Sequence, residues 1–166
     1  MKLNLKKFFS NEDEKPFSTT FALDLSDVEI SGTKLFTNPA EVMVLVRGSN
    51  GAVQLELKMD YEFSVPCDRC MEMITKRETL SLTHIVLLSS EDCDDGEYIR
   101  IPSEELDASE LAREDIILYL PIRFLCSEDC KGLCPVCGKN LNEGSCSCKV
   151  KKVDPRMEIL KQLIDD

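Results

Sequence analysis

The chain has one histidine, His84, among its 166 residues. Its isolation argues against imidazole acid–base chemistry and against a Cys–His nucleophile pair. The sequence carries no glycine-rich phosphate loop, no Walker motif and no paired-carboxylate arrangement, so nothing in it points to nucleotide chemistry or carboxylate catalysis. No apolar run approaches the ~18 residues needed to cross a bilayer. The opening stretch, Met1 to Ser10, is charged, with no uninterrupted apolar segment and no small-residue cleavage site, so no signal peptide is expected. Internal repeats and low-complexity segments are absent too. Basic residues are the minority, 20 Lys and Arg against 31 Asp and Glu, for a formal net charge of -11. Non-specific nucleic-acid binding rests on phosphate neutralisation, so any contact with nucleic acid has to use a local patch.

What remains is a chain of ordinary globular composition, 43% hydrophobic and 31% charged. Its length allows one domain with a real core plus a small appendage. The acidity is concentrated between Glu91 and Asp115, while the cysteine-rich end from residue 123 is slightly basic. A solvated loop and helix face is the plain reading of such a block. A docking surface for a basic partner is the functional one.

The N-terminal two thirds reads as strands. Leu3 and Leu5 alternate as a short strand would, and Phe17 to Leu25 is rich in β-branched and aromatic residues. Glu41–Arg47 and Val53–Met59 flank Gly48-Ser-Asn-Gly51, and apolar residues then keep to odd positions through Tyr61, Phe63 and Val65. That is a half-buried antiparallel hairpin whose second strand does not slip in register. Cys67-Asp-Arg-Cys70 falls where the next reversal should be, before the strand-like Ile74 to Leu88. Tyr98–Ile101 suggests a further short strand. Asp107, with Glu110 three residues on, resembles a helix N-cap, and Pro121 sets the far boundary. Ala108, Leu111, Ala112, Ile116 and Tyr119 share one helical face. The last turns, Ile116 to Leu120, are apolar nearly all round, which predicts burial between layers. Asp154-Pro155 starts a second short helix with Met157, Leu160 and Ile164 as its stripe. The expected fold is α+β, a mainly antiparallel sheet of hairpins with one packed helix at about 107–120, spanning 1–125. A cysteine-rich zinc-binding tail and terminal helix fill 126–166.

Nine cysteines are the chain's most telling feature, and six of them lie between Cys126 and Cys148. In a cytoplasm that keeps thiols reduced, this density points to metal or redox chemistry, not structural disulfides. Cys134-Pro-Val-Cys137-Gly138 has the form of a zinc knuckle, and Cys67-Asp-Arg-Cys70 has the same spacing. The arithmetic allows two four-cysteine sites. The favoured pairing is Cys67, Cys70, Cys126 and Cys130 for site one, and Cys134, Cys137, Cys146 and Cys148 for site two. A single site joining Cys67/Cys70 to Cys134/Cys137, as in a zinc ribbon, is the rival. Two zinc ions are therefore expected, or one on the rival pairing. Cys93 is left over as a free thiol, and His84 reads as a structural residue. A redox-active CxxC would need a helix N-terminus in a βαβ setting, which the surrounding strand pattern does not supply.

The combination of Val65-Pro-Cys-Asp-Arg-Cys70, Glu114-Asp-Ile-Ile-Leu-Tyr-Leu-Pro121, the run from Cys126 to Gly138, Asn140-Leu-Asn142 and Asp154-Pro-Arg156 resembles the bacterial YceD family. The resemblance spans nearly the whole chain in order. It implies a non-enzymatic factor needed for accumulation of large-subunit (23S) ribosomal RNA. Family genes commonly neighbour that of a small large-subunit ribosomal protein, and plastid relatives serve the same process. Some members lack the second cysteine cluster, which makes Cys67, Cys70, Cys126 and Cys130 the better choice for a shared site. The expectation is thus a cytoplasmic adaptor for a large-subunit precursor, engaging a small basic ribosomal protein, 23S rRNA or both. The acidic segment 89–115 would meet the protein. Lys131, Lys139, Lys149, Lys151, Lys152 and Arg156 would approach RNA phosphates, though each has an equally plain role in solubility. The alternatives are a zinc-ribbon interaction module in transcription or another assembly and, third, a thiol oxidoreductase. Neither the direct partner nor the oligomeric state is written in the sequence.

Overall fold

The computed structural model describes residues 1–10, 15–30, 32–89 and 98–148. Cys93, Lys149, Lys151, Lys152, Arg156, most of the acidic loop and the expected terminal helix lie outside the described residues. In chain order the elements are β1 (Lys2–Asn4), α1 (Lys6–Ser10), β2 (Phe17–Leu23), β3 (Glu29–Ile30), β4 (Thr33–Lys34), β5 (Ala40–Ser49), β6 (Ala52–Pro66), β7 (Met73–Leu88), β8 (Ile99–Ile101), β9 (Glu105–Asp107) and α2 (Ala108–Tyr119). They fall into two compact units. One comprises Met1–Val65 with Thr75–Ile122; the other comprises Pro66–Ile74 with the chain from Arg123 onward.

The first unit is built on a five-stranded sheet in the order β2-β5-β6-β7-β8. Its centre is the β5–β6 hairpin. The turn residues Asn50 and Gly51 both take positive φ, 50° and 77°, and Ser49 pairs with Ala52 across them. Such a two-residue loop matches the right-handed twist of its strands, and Asn-Gly tolerates the left-handed backbone it needs. The register sets Val42 against Met59, Val44 against Leu57 and Val46 against Leu55. All six side chains are buried, as is every odd position of β6 from Val53 to Val65. Each of these aliphatic side chains contributes about 1.5–3 kcal/mol by leaving water. A one-residue slip would turn the whole row outward, so the hairpin has one stable register.

Strand β2 closes one side of the hairpin, antiparallel to β5. On the other side Ser64 is bonded to Thr75 and Asp60 to Thr79. The residue numbers in these two pairs have the same sum, as antiparallel β6 and β7 require. Strand β8 then joins β7 in parallel, Val86 opposite Ile99. The sheet is therefore mainly antiparallel, as expected, and mixed at one edge. Three residues show no alternation long enough to reveal a strand's direction. At the N-terminus, Leu3 sits in β1 against Leu106 of β9, while Leu5 lies beyond the strand. The next residue opens α1, which the alternation of Leu3 and Leu5 did not announce.

Helix α2 starts where Asp107 predicts. The Asp107 carboxylate accepts the N–H groups of Ser109 and Glu110 at 2.9 and 3.4 Å, satisfying two of the first turn's orphan donors. The helix stops at Tyr119, with Leu120 already extended ahead of Pro121. Its inward stripe is Ala108, Ala112, Asp115 and Ile116. The expected burial of the last turns does not hold: Ile117, Leu118 and Tyr119 are exposed, Leu118 at 79%, and Ile122 beyond them at 100%. The inward face carries the small residues and a polar contact. The Asp115 carboxylate is hydrogen-bonded to Nε2 of His84 on β7 at 2.9 Å. A polar residue thus takes an inward position beside Ile116, while Ile117, Leu118 and Tyr119 face outward.

Candidate metal centres

Both cysteine clusters belong to the second unit. Site one begins in the turn after β6. The Met71 N–H donates to the Cys67 carbonyl at 2.9 Å and the Cys67 N–H to the Glu72 carbonyl at 2.8 Å, with Met71 itself at φ 62°. Asp68 clamps this turn to the later segment. Its N–H donates to the Phe124 carbonyl at 2.8 Å, and its carboxylate accepts the Phe124 N–H at 2.7 Å. That clamp brings Cys126 and Cys130 to the turn. The Cys67 and Cys130 sulfurs are 3.8 Å apart, and those of Cys70 and Cys126 are 3.5 Å apart. All four Sγ atoms lie within 4.8 Å of one another. A tetrahedron with metal–sulfur bonds of about 2.3 Å has edges of about 3.8 Å, so the spacing fits a thiophilic ion. It is far too wide for a disulfide, whose sulfurs stand about 2.05 Å apart. Cys67, Cys70 and Cys130 are buried and packed by Ile74, Leu125 and Leu133.

Site two is built from a second knuckle. The Gly138 N–H donates to the Cys134 carbonyl and the Cys134 N–H to the Lys139 carbonyl, both at 2.9 Å. A bridge between Leu133 and Asn140 closes the turn. The sulfurs of Cys134, Cys137, Cys146 and Cys148 again lie within 4.8 Å of one another. The geometry therefore holds two separate tetrads that are able to bind metal ions. It does not bring Cys67 and Cys70 into one cluster with Cys134 and Cys137.

The electrostatics divide each tetrad. Burial works to raise the Cys67 thiol, but N–H groups of Arg69, Cys126 and Cys70 together outweigh it and hold it at about 6. The Glu72 N–H lowers Cys70, yet burial and the sulfurs of Cys67, Cys126 and Cys130 overcome this and push it up to about 12. In site two the Cys137 and Val136 N–H groups hold Cys134 at about 6, while the Cys137 sulfur, with burial behind it, pushes Cys148 up to about 12. In both tetrads at least one thiol is held low, Cys130 joining Cys67 at site one through its hydrogen bond from Asn142, and a neighbour resists a further negative charge. A divalent cation removes that resistance, which is the behaviour expected of a thiolate site.

Several residues that shape these centres went unread or half-read in the sequence. Arg69 donates from Nη1 to the Cys130 carbonyl at 2.8 Å. Gly132, at φ 73°, passes so close to Arg69 that a Cβ there would meet the Arg69 carbonyl oxygen at 2.9 Å. Asn142 donates from Nδ2 to the Cys130 sulfur at 3.3 Å. The hint of Asn142 was its place in Asn140-Leu-Asn142, where the Asn140 side chain accepts the Asn142 N–H at 3.0 Å. Among the expected basic contacts, Lys131 is exposed, and the Lys139 ammonium donates to the Ser145 carbonyl at 3.0 Å. Neither CxxC opens a helix among the described residues. No helix among the described residues is long and apolar enough to cross a membrane.

A family model described as "Large ribosomal RNA subunit accumulation protein YceD" matches residues 55–164. The chain is similar to the maize protein named "Large ribosomal RNA subunit accumulation protein YCED homolog 1, chloroplastic", with 40% identity over 63 residues, covering 37% of this chain and 22% of the maize protein. It is similar to YlbN of Bacillus subtilis, an uncharacterized protein, at 25% identity over 114 residues, 68% of this chain and 66% of that one. An uncharacterized protein of Mycobacterium tuberculosis strain H37Rv is 28% identical over 102 residues, 59% of this chain and 49% of its own length. The chain thus spans between 22% and 66% of the length of these relatives. No solved structure matches.

Proposed function

Because the chain belongs to the YceD family, we propose that it acts in ribosome biogenesis, supporting accumulation of 23S rRNA and assembly of the large subunit without itself catalysing a reaction. The observation that carries this reading is the family match, which includes every residue of both cysteine tetrads. In the proposed working form Cys67, Cys70, Cys126 and Cys130 hold one zinc ion, and Cys134, Cys137, Cys146 and Cys148 hold a second. The sulfur separations of 3.5 and 3.8 Å at site one support this, being close to the edge of a zinc–thiolate tetrahedron. Each ion would be a cross-link. Site one would tie a turn to a segment more than fifty residues later, and site two would brace a loop too small to bury a core of its own.

On this reading the protein is a cytoplasmic adaptor. The acidic segment 89–115 engages a small basic ribosomal protein, while Lys131, Lys139, Lys149, Lys151, Lys152 and Arg156 approach rRNA phosphates. The charge split between the two segments supports the assignment. The test is sedimentation of the native, metal-loaded protein with ribosomal precursors, combined with its depletion from cells. Co-sedimentation with large-subunit precursors and a fall in 23S relative to 16S rRNA are expected. Protein found only among free proteins, with an unchanged rRNA ratio, would overturn the assignment in favour of an interaction module elsewhere. Charge reversal at the six basic positions should flatten the salt dependence of precursor binding; an unchanged slope removes the RNA contact.

A further inference from the structure

We propose that the two tetrads load metal cooperatively and that the side chain of Asn142 couples them. The proposal rests on the reading of both tetrads as metal sites. Asn142 lies between Cys137 and Cys146, in the loop whose ends site two ties together. Its amide nevertheless serves site one. Oδ1 accepts the Lys131 N–H at 2.7 Å, and Nδ2 donates to the Cys130 sulfur at 3.3 Å. One planar group thereby fixes both the Cys130 sulfur and the peptide that follows it.

The loop is also pinned to the stretch after Cys130, where the Leu141 N–H donates to the Gly132 carbonyl at 2.9 Å, and that stretch is tied to the first knuckle, where the Leu133 N–H donates to the Arg69 carbonyl at 3.0 Å. Arg69 returns a hydrogen bond from its guanidinium to the Cys130 carbonyl. The path from site two to site one is therefore short and continuous: knuckle, loop, Asn142 amide, Cys130 sulfur. Hydrogen bonds to a ligating atom orient it, and losing such a partner commonly weakens metal binding by about 10–100-fold. A metal at site two holds the loop that carries the donor. Site two without metal leaves Asn142 held by hydrogen bonds alone. Linkage is reciprocal, so an ion at site one favours loading of site two by the same factor.

The test uses the full chain and cadmium NMR, which gives each four-thiolate site its own resonance, with chelator competition for affinity. Four proteins are compared: wild type, Asn142→Asp, the site-two variant Cys146→Ser with Cys148→Ser, and the combination of all three changes. Asn142→Asp keeps the acceptor for Lys131 and all eight thiols while removing the donor to sulfur. It should still bind two ions but hold the site-one ion about 10–100-fold more weakly. The site-two variant should lose one ion and weaken site one by a similar factor. The combination should lose little more than the larger single effect, because both changes remove the same contact. Site one at wild-type affinity in Asn142→Asp, or losses that simply multiply in the combination, overturns the coupling. A site-two variant that merely unfolds would forfeit site one whatever residue 142 is; the Asn142→Asp arm is immune to that outcome. Absence of any ion from the wild type would overturn the metal reading itself, a result distinct from two independent ions.

Discussion

Replacing Gly132 with alanine should damage the cysteine-rich unit far more than the same change at Gly138, although the two backbones are nearly identical. Their φ values are 73° and 72°. An alanine at either position pays for left-handed backbone, about 1–2 kcal/mol. The surroundings differ. Nothing lies within 4 Å of a Cβ built on Gly138, whereas one on Gly132 meets the Arg69 carbonyl oxygen at 2.9 Å and the Arg69 Cβ at 3.3 Å. That oxygen accepts the Leu133 N–H, so it cannot retreat without weakening a hydrogen bond worth about 0.5–1.5 kcal/mol. Arg69 also stands between Cys67 and Cys70, so a shift there moves sulfurs. Overpacking of this kind costs about 1–3 kcal/mol. Gly138→Ala should therefore cost about 1–2 kcal/mol and Gly132→Ala about 2–5 kcal/mol. The assay is urea unfolding of cobalt-loaded protein followed by thiolate-to-cobalt absorption. The sequence has no tryptophan, and its three tyrosines, Tyr61, Tyr98 and Tyr119, all lie in the sheet-bearing unit. Intrinsic fluorescence thus reports one unit and the cobalt band the other. Equal losses for the two alanine variants would refute the reasoning.

Removing metal with a strong chelator should abolish hydrogen-exchange protection at residues 66–74 and 123–148 while leaving the β5–β6 amides protected, because structural zinc supplies on the order of 10–16 kcal/mol; unchanged protection in the cysteine-rich segments would count against structural sites. His84→Leu strands the buried Asp115 carboxylate and should destabilise the sheet unit by about 1–3 kcal/mol in thermal unfolding, with Asp115→Leu added to the same chain recovering part of the loss. Asp107→Ala should cost about 1 kcal/mol by removing the α2 cap. The Asp107 carboxyl is held below its ordinary value of 3.8 first by the Met1 ammonium at 3.0 Å and then, against the opposing effect of burial, by the Ser109 and Glu110 N–H groups. Its contribution is therefore complete above 3.8 and fades as pH falls through the lower folded value, so wild type and Asp107→Ala should converge in stability in acid. A gap that stays constant in acid denaturation series would contradict this.

The parts of the fold that were readable in advance are those governed by a repeating local rule. Odd-position burial along β6, Asn50-Gly51 at the hairpin turn and Asp107 at the head of α2 each follow from a few adjacent residues. The CxxC spacings belong in the same class, because each turn is closed by hydrogen bonds within a few residues. What escaped is set by distant partners. The inward place of Asp115, beside the outward Ile117, Leu118 and Tyr119, goes with a hydrogen bond to His84, thirty-one residues earlier. The parallel placement of β8 depends on β7, and the role of Asn142 depends on a sulfur in the other tetrad. Hydrophobic averaging over a helical turn cannot see a single buried hydrogen bond, and nothing in a lone asparagine announces which sulfur it will serve.

The long reach of site one also has a consequence in time. Cys70 precedes Cys126 by 56 residues. At a synthesis rate of roughly 5–20 residues per second, the first knuckle leaves the ribosome as a bare dithiol and waits about 3–11 s for its other half. All of β7, β8, β9 and α2 is made in that interval. The first pair of thiols is thus exposed to oxidants and stray ions before a complete site exists for it, while site two, its four thiols made within 15 consecutive residues, passes through no comparable delay.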